Sequence, residues 1–182
     1  VGYTNAGKTT LFNILTDSSK YAANQLFATL DSVTRKNINP ELGSILFSDT
    51  VGFISDLPTE LIDSFRATLD DLGNADLLLH VIDVSDPDYE EKVSTVENII
   101  NDLGFGHIKN IYVFNKSDKR DLKCCIKSED EIFISAIKSE GLDDLREMIN
   151  KKLFGNYYSG WVSMDPSLWS LRSKLFRMGC IV

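Results

Sequence analysis

Eight residues near the start of the sequence, Gly2-Tyr3-Thr4-Asn5-Ala6-Gly7-Lys8-Thr9, fit the spacing G-x-x-x-x-G-K-[ST], and Thr10 follows them. Glycines let a backbone curl until successive N–H groups point inward at phosphate oxygens. A helix starting near Lys8 adds the positive end of its dipole. The Lys8 ammonium then sits between β- and γ-phosphates, and the Thr9 hydroxyl is a hard ligand suited to Mg²⁺. On its own the motif admits ATP or GTP. Asn5 has two readings: a side-chain oxygen that helps hold K⁺ beside the phosphates, or a turn former that bonds its own backbone.

Three further clusters follow in order. Asp49-Thr50-Val51-Gly52 ends the stretch "SILFS", where a carboxylate can hold Mg²⁺ through water. Gly52 can offer its N–H to a γ-phosphate, making the loop a switch that orders before hydrolysis and relaxes after it. Asn115-Lys116-Ser117-Asp118 ends "IYVFN". Asp118 can accept two hydrogen bonds from guanine, whereas adenine would leave the carboxylate unpaired, a difference on the order of 10⁴-fold. Lys116 packs along the base plane and Asn115 braces the loop. Ser135-Ala136-Ile137 ends the next strand, with the Ala136 amide directed at the guanine carbonyl.

Between the first two clusters lies Phe27-Ala28-Thr29-Leu30-Asp31. A threonine here must close over the γ-phosphate and give its hydroxyl to Mg²⁺. Thr29 is preferred to Thr34, although spacing alone does not decide between them. The catalytic set is therefore Lys8, Thr29 and Gly52, and the metal set is Thr9, Thr29 and Asp49. Phe53 and Ile54 stand where many such enzymes carry a glutamine that orients water. Neither can do this, so slow turnover without a partner is expected.

The elements that must position these residues alternate between strand and helix. Helices are expected over 8–17, 60–72 and 140–153, and from Asp86-Pro87 to residue 103, with Asp86 as cap and Pro87 in the first turn. "RKNINPELGSILFSD" reads as strand, turn, strand. "ADLLLHVIDVS" and "IKNIYVFN" are apolar runs of the kind buried on both sheet faces, and "EIFIS" is a shorter strand. This alternation predicts an α/β fold: a mostly parallel sheet with helices on both faces. Residues 1–154 form one nucleotide-binding domain, 155–169 a linker, and 170–182 the start of another element. Only Val1 precedes the phosphate loop, so the strand leading into it is largely missing. A longer parent protein is expected, and poor stability and weak GTP binding of this stretch alone.

Composition narrows the function classes. The net charge of the 182 residues is −8, which argues against a general grip on nucleic acid and specifically DNA. No apolar run of about 18 residues is present, so no membrane span is expected. The three cysteines, Cys124, Cys125 and Cys180, lack metal spacing and read as reduced thiols.

Together "GYTNAGKTTLFNILT", "ANQLFATLDSVTR", "DTVGFISDLPTELIDSFRATLDDLGNADLLLHVIDVSDP" and "NKSD" resemble the HflX family of ribosome-associated GTPases. The resemblance covers roughly residues 1–153, and "LRSKLF" resembles the start of that family's C-terminal domain. It implies the P-loop NTPase fold and a cytoplasmic, monomeric GTPase that uses GTP/GDP and Mg²⁺. It also implies binding to the large (50S) ribosomal subunit and splitting of stalled ribosomes under stress. It favours Thr29, because "FATLD" is the family's second GTPase motif. The family's N-terminal domain and helical arm have no counterpart here. Two alternatives share the generic motifs: a GTPase of tRNA modification or ribosome assembly, and a binding module with little hydrolysis.

Overall fold

The computed structural model describes residues 1–17, 33–39, 43–49, 70–120, 122, 124–155, 165 and 170. The expected helix over 60–72 lies outside them except at its end, as do the linker and C-terminal stretch apart from Gly155, Asp165 and Ser170.

The first helix, α1 (Lys8–Leu15), buries Leu11, Phe12 and Leu15, the three side chains its period places together. β1 (Val33–Asn39) and β2 (Gly43–Asp49) form an antiparallel hairpin. The alternation of Ile45 and Phe47 turns both toward the main core. β3 (Leu77–Asp83), α2 (Tyr89–Asp102), β4 (Lys109–Asn115), β5 (Cys125–Ile126), β6 (Glu131–Phe133) and α3 (Leu142–Phe154) follow. The larger sheet has the order β3-β4-β6-β5, with β3, β4 and β6 parallel and β5 antiparallel. Among the described residues the hairpin and this sheet are separate. Val1 lies beside β3, its nitrogen donating to Leu79 O and its oxygen accepting from Val81 N, both at 2.9 Å.

Period-two alternation divides the apolar runs between two faces. Leu77, Leu79, Val81, Ile111, Val113 and Ile132 face one core with α1 and α3. Leu78, Ile82, Tyr112, Phe114 and Phe133 face the other side, where Val93, Val96 and Ile100 of α2 cover them. Helices thus lie on both faces of a mostly parallel sheet, as expected. Each fully buried aliphatic such as Ile111 or Leu145 contributes roughly 1.5–3 kcal/mol of transfer free energy.

The start of α2 differs from expectation. The helix begins at Tyr89, with Asp88 at the N-cap position making no side-chain cap bond, and Pro87 lies outside it. The Asp86 carboxylate accepts from the Asp88 amide (3.0 Å) and pairs with Lys92. Asp86 therefore makes a turn that delays the helix. The chain's other end conforms: α3 buries Leu142, Leu145, Met148 and Ile149. No helix among the described residues is long and apolar enough to cross a membrane.

Candidate nucleotide site

The carboxyl ends of β3, β4 and β6 gather three loops, the usual place for ligands in an open α/β sheet. Gly2 through Gly7 make the first. Gly2 has φ +140°, and a Cβ there would lie 2.2 Å from Val81 O, so the loop leaves the sheet edge only through glycine. Gly7 has φ +96°, and a Cβ would meet the Asn115 amide nitrogen at 2.3 Å. Asn5 also sits in the left-handed region, at φ +61°, and is exposed. Ala6 is buried, and its amide donates to Tyr3 O (3.3 Å). Tyr3 belongs to this loop through its backbone; its ring packs on the α2 face, 5.0 Å from the Lys92 ammonium. Thr4 and Tyr3 border a cavity of about 210 Å³ between the loop and α2, reached also by the buried His80.

Lys8 folds back over the loop and donates to Tyr3 O (2.8 Å). Burial pushes its ammonium down to about 8, with the Asp49 carboxylate opposing the shift. One residue on, the Thr9 hydroxyl donates to a carboxylate oxygen of Asp49 at 3.1 Å. Two of the three expected metal ligands, from elements forty residues apart, are thus side by side. Both are hard oxygen donors, and Asp49 is 3% exposed. They fit Mg²⁺, which takes one or two protein oxygens and completes its shell with phosphates and water. Among the described residues no cluster of three or more His, Cys, Asp and Glu offers a cage made of protein alone. Phe27, Ala28, Thr29, Leu30, Asp31, Thr50, Val51 and Gly52 lie outside the described residues.

The second and third loops lock onto the first. The Asn115 amide nitrogen donates to Ala6 O (2.9 Å), while its oxygen accepts from the Ala136 amide (3.0 Å). Both bonds are buried, so one side chain joins the ends of two strands to the phosphate loop. Lys116, at φ +64°, donates to Asn5 O (2.7 Å) and to Asp83 Oδ2 (2.5 Å). Ser117 is fully buried and donates to Ile134 O (2.8 Å). Asp118 Oδ1 accepts from the Ser135 hydroxyl (2.6 Å), which fixes the carboxylate's direction. Ile137 follows on the surface, 74% exposed.

The Ala136 amide, expected to face a guanine carbonyl, donates to the Asn115 side-chain oxygen. Sequence reasoning also missed Asp83, which accepts from the Lys116 ammonium, and Ser85, whose hydroxyl donates to the Asp83 carboxylate. The signal was available. "LLLHVID" and "KNIYVFN" are equal apolar runs paired in parallel, so their last residues, Asp83 and Asn115, face each other at the same sheet edge. His80 was missed as well: it is 1% exposed, and burial with nearby positive charge pushes its imidazole down to about 3.

A strand edge that turns through glycines into a helix, with a base-side loop clamped across it, defines the class as a P-loop nucleotide-binding α/β protein. Solved structures agree. The GTP-binding protein from Sulfolobus solfataricus in complex with GDP superposes with a TM-score of 0.63 at 29% identity, covering 83% of this chain and 50% of that one. Among curated relatives, GTPase HflX of Caldanaerobacter subterraneus subsp. tengcongensis is 47% identical over 154 residues, 85% of this chain and 36% of that protein. GTPase HflX of Escherichia coli is 36% identical, covering 100% of this chain and 44% of its own length. Residues 1–116 match the family described as 50S ribosome-binding GTPase, and the chain belongs to that family. It spans less than half the length of these two HflX relatives, whose similarity bears out the resemblance drawn from the motifs.

Proposed function

We infer that this chain is the guanine-nucleotide-binding and GTP-hydrolysing part of a protein that works on the large ribosomal subunit. The observation that carries the reading is the Asn115 bridge from Ala6 O to the Ala136 amide. It holds a carboxylate suited to guanine, Asp118, at a set distance from a curled phosphate loop. The ribosomal part rests on the family and on HflX relatives; splitting of stalled ribosomes and a cytoplasmic, monomeric state follow the same resemblance.

The residues divide the work by chemistry. The loop amides of Asn5, Gly7 and Lys8 and the α1 N-terminus bind phosphate oxygens. Lys8, a partly desolvated cation, meets the negative charge between β- and γ-phosphates. Thr9 and Asp49 would hold Mg²⁺, with Thr29 as the third contributor. When bound, Mg²⁺ neutralises charge on the phosphates as the terminal bond breaks. Gly52 offers an amide to the γ-phosphate, while Phe53 offers no group to orient water, so a ribosomal partner or K⁺ beside Asn5 speeds hydrolysis. Residues 1–154 carry this activity, with 155–169 linking to an element that begins at 170.

Asp118→Asn in the full-length protein tests the base assignment. An amide can donate where the carboxylate only accepts, so preference should move from GTP to xanthosine triphosphate by about 10³-fold or more. An unaltered preference would remove the reading. Co-sedimentation with separated ribosomal subunits, with a non-hydrolysable GTP analogue or GDP, tests the partner. Binding to the large subunit that ignores the nucleotide, or no binding, would sink that half.

A further inference from the structure

Asp83 stands at the last position of β3, in parallel register with Asn115 at the last position of β4. Its carboxylate is fully engaged. Oδ1 accepts from the Ser85 hydroxyl (2.6 Å) and the Ser85 amide (3.0 Å), and Oδ2 accepts from Lys116 (2.5 Å). The two charged side chains are only 20% and 18% exposed. Burial alone would raise the carboxyl's pKa, but the bonds from Lys116 and Ser85 hold it below the usual carboxylate range. The Lys116 ammonium meanwhile donates to Asn5 O in the phosphate loop.

We propose that Asp83 is a positioning residue for nucleotide binding: it anchors the Lys116 ammonium between the β3 edge and the Asn5 carbonyl, tying the base loop to the phosphate loop. Lys116 occupies a left-handed conformation that a non-glycine residue adopts only when its surroundings dictate it. The ion pair supplies part of that constraint. Ser85 fixes the carboxylate's rotation, so the anchor is directional and not merely a charge. This assignment rests on the guanine-nucleotide reading above.

Asp83→Asn keeps the shape and removes the charge. In the full-length protein it should weaken GDP and GTP binding by the same factor, about tenfold, within the range found for directly coupled neighbours. The factor is shared because the anchor lies away from the γ-phosphate. The ratio of GTP to xanthosine triphosphate affinity should stay as in wild type, since Asp118 is untouched, so failure here is distinguishable from failure of the base assignment. The deciding measurement is a cycle with Lys116→Met. If Asp83 acts through Lys116, Asp83→Asn adds less than twofold in the Lys116→Met background. A full tenfold loss in that background, or no loss in the single variant, overturns the proposal. Ser85→Ala, which frees the carboxylate's rotation without removing it, should cost a smaller, equal factor for both nucleotides. It decides the matter if Asp83→Asn does not fold, because unchanged affinity in Ser85→Ala would then overturn the proposal.

Discussion

The two ends of the site are built by different means. At the base end, side chains do the joining: Asn115 and Lys116 reach the phosphate loop, Ser117 bonds Ile134 O and Ser135 bonds Asp118. At the phosphate end, the backbone sets the shape. Gly2, Asn5 and Gly7 all have positive φ, and the principal side-chain contacts are Lys8 to Tyr3 O and Thr9 to Asp49. The difference has a chemical reason. Guanine is read by direction, so its reader must be immobile before binding. A triphosphate is read by charge, so its reader needs donors and a cation whose charged form an arriving anion stabilises. The two ends should therefore fail differently when disturbed.

The largest loss of GDP affinity is expected at the joint between them. Asn115→Ala removes both buried bonds and leaves Ala6 O and the Ala136 amide without their partner. Each buried group left unsatisfied costs roughly 1–3 kcal/mol. Calorimetry should show GDP affinity falling about a hundredfold, on the scale of 1.4 kcal/mol per tenfold. The melting temperature of the nucleotide-free protein should fall as well. A hundredfold loss of affinity at unchanged melting temperature would mean that Asn115 acts on the ligand alone, and the contrast between a prebuilt and a charge-read end would fail.

That contrast also explains which parts were legible in the sequence. The phosphate loop announces itself because only glycine tolerates Gly2's approach to Val81 O and Gly7's approach to Asn115. β3 and β4 announce themselves because burial on both faces demands unbroken apolar runs. The two residues of β5 carry no such demand: Cys125 and Ile126 pair with Phe133 and Ile132 at a sheet edge, and two residues cannot display a period. α2 was misplaced at its start because Asp-Pro signals both a cap and a turn. The Asp86 carboxylate serves the turn, and the helix waits for Tyr89. At the base end, "NKSD" identified the loop but not the anchor of Lys116, which comes from a strand thirty-three residues earlier. Only the parallel register brings Asp83 there. The motif likewise names Ala136 but not the Asn115 oxygen to which its N–H donates.

The phosphate end should respond to pH in a way the base end does not. Burial sets the free-state pKa of Lys8 at about 8. A bound phosphate raises it further, since opposite charge favours the ammonium. A group whose bound-state pKa is raised contributes affinity that is fully present below the free-state value and lost as pH rises through it. GDP affinity should therefore be flat from pH 6.5 to 7.5 and weaken above pH 8, by at most about tenfold per unit. Between pH 8 and about 9, below the ionisation of the base itself, the slope should vanish in Lys8→Ala. A slope that survives Lys8→Ala would place the titrating group elsewhere and blur the division between the two ends.

The smallest effect sharpens the comparison from within the base end. Ser135→Ala deletes the 2.6 Å bond to Asp118 and the weaker 3.3 Å bond from the Lys138 amide. Asp118 is half-buried, so water can replace the lost donor, unlike at the fully enclosed Asn115. A hydroxyl-to-carboxylate bond whose donor water replaces is worth about 1 kcal/mol, or roughly fivefold in GTP affinity. The preference for GTP over xanthosine triphosphate should change less than twofold, because the carboxylate remains and only its aim loosens. If Ser135→Ala costs as much as Asn115→Ala, the base end depends on the aim of one carboxylate, and the lock centred on Asn115 is secondary. If it costs nothing, the strands alone hold Asp118 in place, and the side-chain account of this end must shrink to Asn115 and Lys116.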